Sequence, residues 1–149
     1  MILYLDASAL VKRYIRERGS DQMFAAMNQA ELVATAVISR AEIAAALAKG
    51  VRIGALKKDA AFALLILFRK EWPNLSRLDL NENIVARADA LAWEHRLRGF
   101  DSVHLACALM WQEAMDQPVT LATYDQALWR VAQRVGLISF PENLVQEKE

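Results

Sequence analysis

Four acidic residues stand where this chain could do chemistry: Asp6, Glu42, Asp101 and Asp125. Their settings are Ile2-Leu3-Tyr4-Leu5-Asp6, Ser39-Arg40-Ala41-Glu42, Gly99-Phe100-Asp101-Ser102 and Leu121-Ala122-Thr123-Tyr124-Asp125. Each lies beside a short apolar segment or opens an amphipathic one. If the apolar segments are parallel strands, all four carboxylates can converge at one end of a sheet. Such a cluster has one evident use, to hold a divalent cation such as Mg²⁺ or Mn²⁺. Two carboxylates ~4 Å apart repel by about 4 kcal/mol at an effective dielectric near 20, so four in one pocket require protonation or a cation. A bound cation can also activate water for attack on phosphate.

Taken singly, each acid also has a structural explanation. Asp6 and Asp101 suit the N-caps of the helices they precede. Ser39-Arg40-Ala41-Glu42 and Thr123-Tyr124-Asp125-Gln126 have capping-box form, with Glu42 in the reciprocal position and Asp125 in the first turn. Negative charge there gains ~0.3–1 kcal/mol from the helix dipole.

Strand-like and helical segments alternate along the chain. Residues 2–5 are a short apolar run of the buried-strand kind, followed by a helix through Leu10, Val11, Tyr14 and Ile15. Gly19-Ser20-Asp21 opens a second helix, and 31–36 reads as a strand. Ser39 starts a helix whose end Gly50 and Gly54 punctuate. A long helix over 55–72 is apolar nearly all round from 60 to 68, which predicts burial in the fold or against another chain. Residues 75–80 read as a strand and Asn81 caps the next helix. Asp101 opens another helix, 119–122 is a strand, 124–134 a helix and 137–140 a last strand. This alternation predicts an α/β fold with a parallel sheet between helical layers. Ligands of such sheets bind beyond the carboxyl ends of the strands, where Asp6, Glu42 and Asp125 fall. The route of Asp101 to that end is not set by pattern alone.

Composition narrows the function classes. The 149 residues suit one domain with a real core, and an apolar content of 55% hints at extra buried surface. Lys plus Arg and Asp plus Glu both number 18, so no global basic field advertises nucleic acid and any such binding needs a local patch. Cys107 is the single cysteine, which excludes an internal disulfide, and its apolar setting predicts a buried, inert thiol. No secretory signal and no run long enough to span a bilayer are visible, so a cytoplasmic location without membrane attachment is expected.

The segments Asp6-Ala7-Ser8-Ala9-Leu10-Val11-Lys12, Ser39-Arg40-Ala41-Glu42 with Ala46-Leu47, Arg98-Gly99-Phe100-Asp101-Ser102-Val103-His104-Leu105-Ala106 and Ala122-Thr123-Tyr124-Asp125 occur in that order. In order and spacing they resemble the PIN-domain ribonucleases, most closely the VapC-type toxins of virulence-associated toxin–antitoxin pairs. The resemblance runs from Met1 to about Phe140, with 1–140 as a nuclease domain and 141–149 as a polar tail. It implies a three-layer α/β/α fold with a mostly parallel sheet of strand order 3-2-1-4-5, which sets Asp6 beside Asp125. It also implies Mg²⁺-dependent cleavage of RNA phosphodiesters, with Mn²⁺ able to substitute, leaving 5′-phosphate and 3′-hydroxyl ends. Asp6 and Asp101 match the principal metal ligands, and Glu42 and Asp125 bind directly or through water. Ser8 and Thr123 match hydroxyl positions that line the pocket. The partners implied are an RNA substrate, a cognate antitoxin whose tail lies over a groove, and a second copy of the chain.

Other residues have weaker claims. Arg13 and Arg16, with Lys12 and Arg18, cluster near Asp6 and could hold RNA phosphates, as could Arg40 beside Glu42; an ordinary solvated face is the alternative. His104, one turn after Asp101, reads as a packed or hydrogen-bonded helix residue ahead of a metal-adjacent one. His95 reads as surface. Trp93 and Trp129 flank the apolar stripes of their helices and could face a partner. A catalytically silent PIN-fold module that binds RNA or protein is the competing function. An aspartyl-phosphate phosphatase is discounted, because it needs an Asp where this chain has Ser8.

Overall fold

The apolar runs at 2–5 and 119–122 lie side by side as the middle of a sheet in a computed structural model that describes residues 1–144. In chain order the elements are β1 (Ile2–Leu5), α1 (Ala7–Leu10), α2 (Ser20–Gln29), β2 (Leu32–Ala36), α3 (Ser39–Arg52), α4 (Lys58–Glu71), β3 (Ser76–Leu78), α5 (Glu82–His95), α6 (Gly99–Met115), β4 (Val119–Ala122), α7 (Gln126–Arg134) and β5 (Ile138–Phe140). The sheet order is β3-β2-β1-β4-β5, and every pairing is parallel rather than most of them. Continuous burial of β1 and β4 is what a central parallel strand covered on both faces requires.

The pleat of β1 divides the core in two. Ile2 and Tyr4 pack with α5, α6 and α7, whereas Leu3 and Leu5 pack with α1 to α4. Full burial of such a side chain contributes roughly 1.5–3 kcal/mol, so this one strand anchors both layers. Asp6 continues the extended backbone at φ −79° and ψ 178°. Its side chain therefore follows Tyr4 in the alternation.

Several boundaries differ from expectation. The first helix stops at Leu10 and passes into a 3-10 turn over Val11–Arg13 instead of reaching Ile15. Helix α3 runs through Gly50, where the missing Cβ leaves room for the Leu56 side chain, and the chain turns only at Gly54 with φ 77°. The helix expected over 55–72 is α4 followed by a 3-10 turn, Trp72–Asn74. It is not buried all round: Ala61 and Phe68 are covered, while Phe62, Ile66 and Leu67 stay exposed.

Cys107 is buried as expected, and burial pushes its thiol up to about 11. Trp93 is 89% exposed. Trp129 is half-buried and donates from Nε1 to the Pro141 carbonyl at 2.8 Å. Of the expected polar tail, 145–149 lies outside the described residues, and Pro141 is buried. Among the described residues no helix is long and apolar enough to cross a membrane.

Candidate active site

Asp6 sits at the carboxyl end of β1, 3% exposed, and is the N-cap of α1. Its Oδ1 accepts from Ala9 N at 2.9 Å and from Ser8 Oγ at 2.7 Å, and its Oδ2 accepts from Thr123 Oγ1 at 2.6 Å. Burial raises its proton affinity above the ordinary carboxylate value, opposed by nearby His104 and by the Thr123 and Ser8 hydroxyls. None of the salt bridges of the described residues reaches it. A carboxyl buried with hydroxyl donors and no contacting cation is an unusual arrangement for packing alone.

Ser8 and Thr123 are fasteners as well as pocket residues. While donating to Asp6, Ser8 Oγ accepts from Tyr124 N at 2.9 Å and Thr123 Oγ1 accepts from Asp125 N at 3.1 Å. The two hydroxyls thus tie the end of β1 to the loop after β4, holding Asp6 beside Asp125. Asp125 itself is the N-cap of α7, accepting from Leu128 N at 2.9 Å, where the capping-box reading has Thr123 as the cap and Asp125 in the first turn.

Asp101 is not an N-cap. Helix α6 begins at Gly99 after Arg98, which puts Asp101 in the first turn. There Arg98 Nε donates to Asp101 Oδ2 at 2.9 Å while Arg98 Nη2 donates to Asp125 Oδ2 at 2.9 Å. Partial burial raises the Asp101 pKa, Arg98 opposes this, and the Asp125 charge adds to the rise. The guanidinium is in turn held more firmly protonated by Asp101 first, then Asp125 and, more weakly, Asp6. Three of the four acids therefore share one neighbourhood at the mouth of which a positive charge already rests.

Glu42 reaches this neighbourhood from the other helical layer. Its capping-box role does not form: Ile38 is the N-cap of α3 without a side-chain cap bond, and the Ser39 hydroxyl is taken by Thr35 Oγ1 at 2.6 Å. Glu42 Oε1 instead meets His104 Nε2 at 2.7 Å. Glu42 and Asp101 both border a cavity of about 650 Å³ walled by α5 and the start of α6.

The structure thus brings Asp6, Glu42, Asp101 and Asp125 to one end of the sheet, though not into a closed ligand shell. Among the described residues no three His, Cys, Asp or Glu side chains stand together at metal-binding spacing. Arg98 is the stand-in cation, and it shows that a positive group fits between Asp101 and Asp125. The donor set is carboxylate and hydroxyl oxygen, which suits a hard ion such as Mg²⁺ or Mn²⁺.

The basic candidates separate. Arg13 pairs with Glu71 at 2.7 Å and Arg16 with Asp21 at 2.6 Å. Lys12 bonds Glu17 and the Arg18 carbonyl and lies 4.1 Å over the Tyr124 ring. Arg40 is exposed, with no carboxylate partner among the described residues. His104 is buried and hydrogen-bonded, as its helical position suggests, and His95 is half-buried rather than fully exposed. Sequence reasoning missed Arg98 and Tyr4: the first works across a distance no local pattern encodes, and the second reads as core.

A parallel sheet ordered 3-2-1-4-5 with carboxylates at its central strand ends defines a class of nuclease-like α/β domain, and the chain belongs to the PIN domain family, whose profile matches residues 3–134. It is 29% identical over 143 residues to Ribonuclease VapC45 of Mycobacterium tuberculosis, covering 96% of this chain and 97% of that protein. It is 31% identical over 110 residues to Ribonuclease VapC3 of Pyrobaculum aerophilum, covering 72% of this chain and 82% of that one. The fold is shared with a chain of a toxin-antitoxin complex from Klebsiella pneumoniae, with a TM-score of 0.58 at 18% identity over 84% of this chain and 87% of that one.

Proposed function

We propose that this protein is a divalent-metal-dependent ribonuclease, cleaving RNA phosphodiester bonds in the cytoplasm as the toxin of a toxin–antitoxin pair. The observation that carries the reading is the buried carboxyl of Asp6, held by Ser8 and Thr123 next to two acids that one guanidinium bridges. Asp6 and Asp101, with Glu42 and Asp125, would hold Mg²⁺, or Mn²⁺ in its place. When bound, the ion would supply charge neutralisation at phosphate oxygens and an activated water.

The chain's own residues do the rest. Ser8 and Thr123 orient Asp6, and its Oδ2, which accepts one bond where Oδ1 accepts two, keeps lone-pair capacity. Arg98, 77% exposed in its side chain, is free to swing from Asp101 and Asp125 toward a substrate phosphate. Arg40 supplies a further phosphate contact beside Glu42.

Support for an antitoxin partner comes from the likeness to a toxin-antitoxin complex chain and from a groove between α3 and α4 of about 730 Å³, lined by Leu47, Val51, Phe62 and Leu65. The exposed rings of Trp93 and Phe100 offer a second copy of the chain an apolar surface.

The test is Mn²⁺ binding and RNA cleavage by the purified chain against Asp6→Asn and Asp101→Asn. Loss of both properties in folded variants is expected, with a rate reduction of about 100-fold or more. One observation favours the silent RNA- or protein-binding module: Arg98 already pairs with two of the acids. A wild-type protein that stays folded and takes up no Mn²⁺ at millimolar concentration would overturn the metal reading in favour of the second.

A further inference from the structure

Tyr4 and His104 have no place in the chemistry above, yet they form a buried polar chain that ends on one of its carboxylates. Tyr4 Oη lies 2.8 Å from His104 Nδ1, and His104 Nε2 lies 2.7 Å from Glu42 Oε1. Both rings are essentially inaccessible and meet edge to face, with centroids 5.9 Å apart. The surrounding layer is apolar: Leu105, Ala108, Leu121 and Ala36 belong to the same cluster. A Phe and a Leu would pack there without the desolvation cost of a phenol and an imidazole. What the polar pair adds is found at Glu42.

Proton accounting decides the direction of the chain. A carboxylate only accepts, a phenol donates one proton, and a neutral imidazole carries one N–H. With a neutral ring, both contacts are hydrogen bonds only if Tyr4 donates to Nδ1 and Nε2–H donates to Glu42. With a doubly protonated ring, Nε2–H again donates to Glu42. With Glu42 ionised, every state that satisfies both contacts has a proton on Nε2 pointing at Oε1.

Glu42 needs such an anchor, because the capping box that could have held it does not form. We infer that His104, oriented by Tyr4, is a positioning residue that pins Oε1 of Glu42 and presents the remaining carboxylate oxygen to the pocket it shares with Asp101. This rests on the metal-binding reading of that pocket. The chain reaches the site from β1 and α6, so the sheet and one helical layer together orient a carboxylate supplied by the other. Partners that orient a ligating group typically change metal affinity by 10–100-fold when removed.

The experiment is Mn²⁺ titration of the purified full chain, by calorimetry or by loss of the free-ion electron spin resonance signal. Wild type is compared with Asp6→Asn, His104→Leu, His104→Gln, Glu42→Gln and the His104→Leu, Glu42→Gln double variant, each checked by thermal melting. Leu keeps apolar bulk and removes the donor, whereas Gln returns an amide N–H near the position of Nε2. His104→Leu is expected to weaken Mn²⁺ binding about 10–100-fold, His104→Gln to recover most of it, and His104→Leu to add nothing once Glu42 is Gln.

Wild-type affinity in His104→Leu, or additive losses in the double variant, would overturn the inference while Asp6→Asn still upheld the metal site. If wild type itself binds no Mn²⁺, both the metal reading and the inference fall. Should the Leu variant fail to fold, His104→Asn, whose amide stops short of Glu42, replaces it in the same comparison.

Discussion

Arg98 Nη2 donates to Asp125 Oδ2 at 2.9 Å, so a residue just before α6 closes over the cap of α7. Its Nε bonds Asp101 from the same position. A divalent ion entering between these acids has to displace the guanidinium. Arg98→Ala is therefore expected to tighten Mn²⁺ binding about fivefold at low salt, since two ion pairs made by an exposed arginine, roughly 0.5 kcal/mol each, no longer compete. The gain should shrink at high salt. Calorimetry at two ionic strengths checks this, and weaker binding by the Ala variant would mean that Arg98 assists the ion.

The buried acids also set a pH dependence. Burial holds Asp6 and Asp101 above the ordinary carboxylate value, so the folded chain keeps protons that the unfolded chain has released. Stability then falls as pH rises from the ordinary value through the folded one. Metal-free protein should melt higher near the ordinary carboxylate value, at about pH 4, than at about pH 7, and Mn²⁺ at the higher pH should restore the melting temperature by binding the ionised form. Glu113, drawn down by Arg87, acts in the opposite direction from an exposed position where its effect is small. Melting curves that do not move between these conditions would refute the argument.

Gly19 adopts φ 87°, and a Cβ there would lie 2.8 Å from Cε1 of the Tyr124 ring. Gly19→Ala combines left-handed strain of about 1–2 kcal/mol with displacement of a ring next to Asp125. The expected outcome is a loss of about 2 kcal/mol or more in urea unfolding, together with weaker Mn²⁺ binding. An unaltered metal affinity would show that the Tyr124 ring does not hold the loop carrying Asp125.

Salt-dependent RNA binding should distinguish the arginines. Arg40→Ala is expected to lower the slope of log affinity against log salt by about 0.7, the value for one lost phosphate contact on a single strand. Arg13→Ala should leave that slope unchanged, because the guanidinium is bound to Glu71, and should instead reduce stability by about 1 kcal/mol. A flattened slope in the Arg13 variant would return that residue to the RNA surface.

How far the site was legible follows from the range of each interaction. Strands β1 and β4 are short and mostly apolar, and the Asp after each sits where an open sheet binds ligands, so Asp6 and Asp125 could be read directly. The boundary near Gly50 could not, because helix α3 passes through that glycine and packs Leu56 against it. Glu42 carried a local signal that misled: Ser39 looks like its capping partner, but Thr35 claims the hydroxyl. His104 was legible as a packed helix residue, whereas its bond to Glu42 joins segments 62 positions apart. Arg98 lay within a recognisable motif, and only the fold shows that it answers both Asp101 and Asp125.

Strand order also governs when the pocket can exist. Residue Ile2 at the start of β1 pairs with Val119 of β4, and Asp6 takes a hydrogen bond from Thr123. Strand β1 meets β2 across a short stretch of chain, but its other edge stays uncovered until the distant β4 arrives. Contacts this distant in sequence form late, because loop closure precedes any reward from pairing. A truncated chain ending before residue 119 lacks Thr123, Asp125 and the strands β4 and β5. The pocket is thus a late product of folding: it closes only when segments 117 positions apart meet at Asp6 and Thr123.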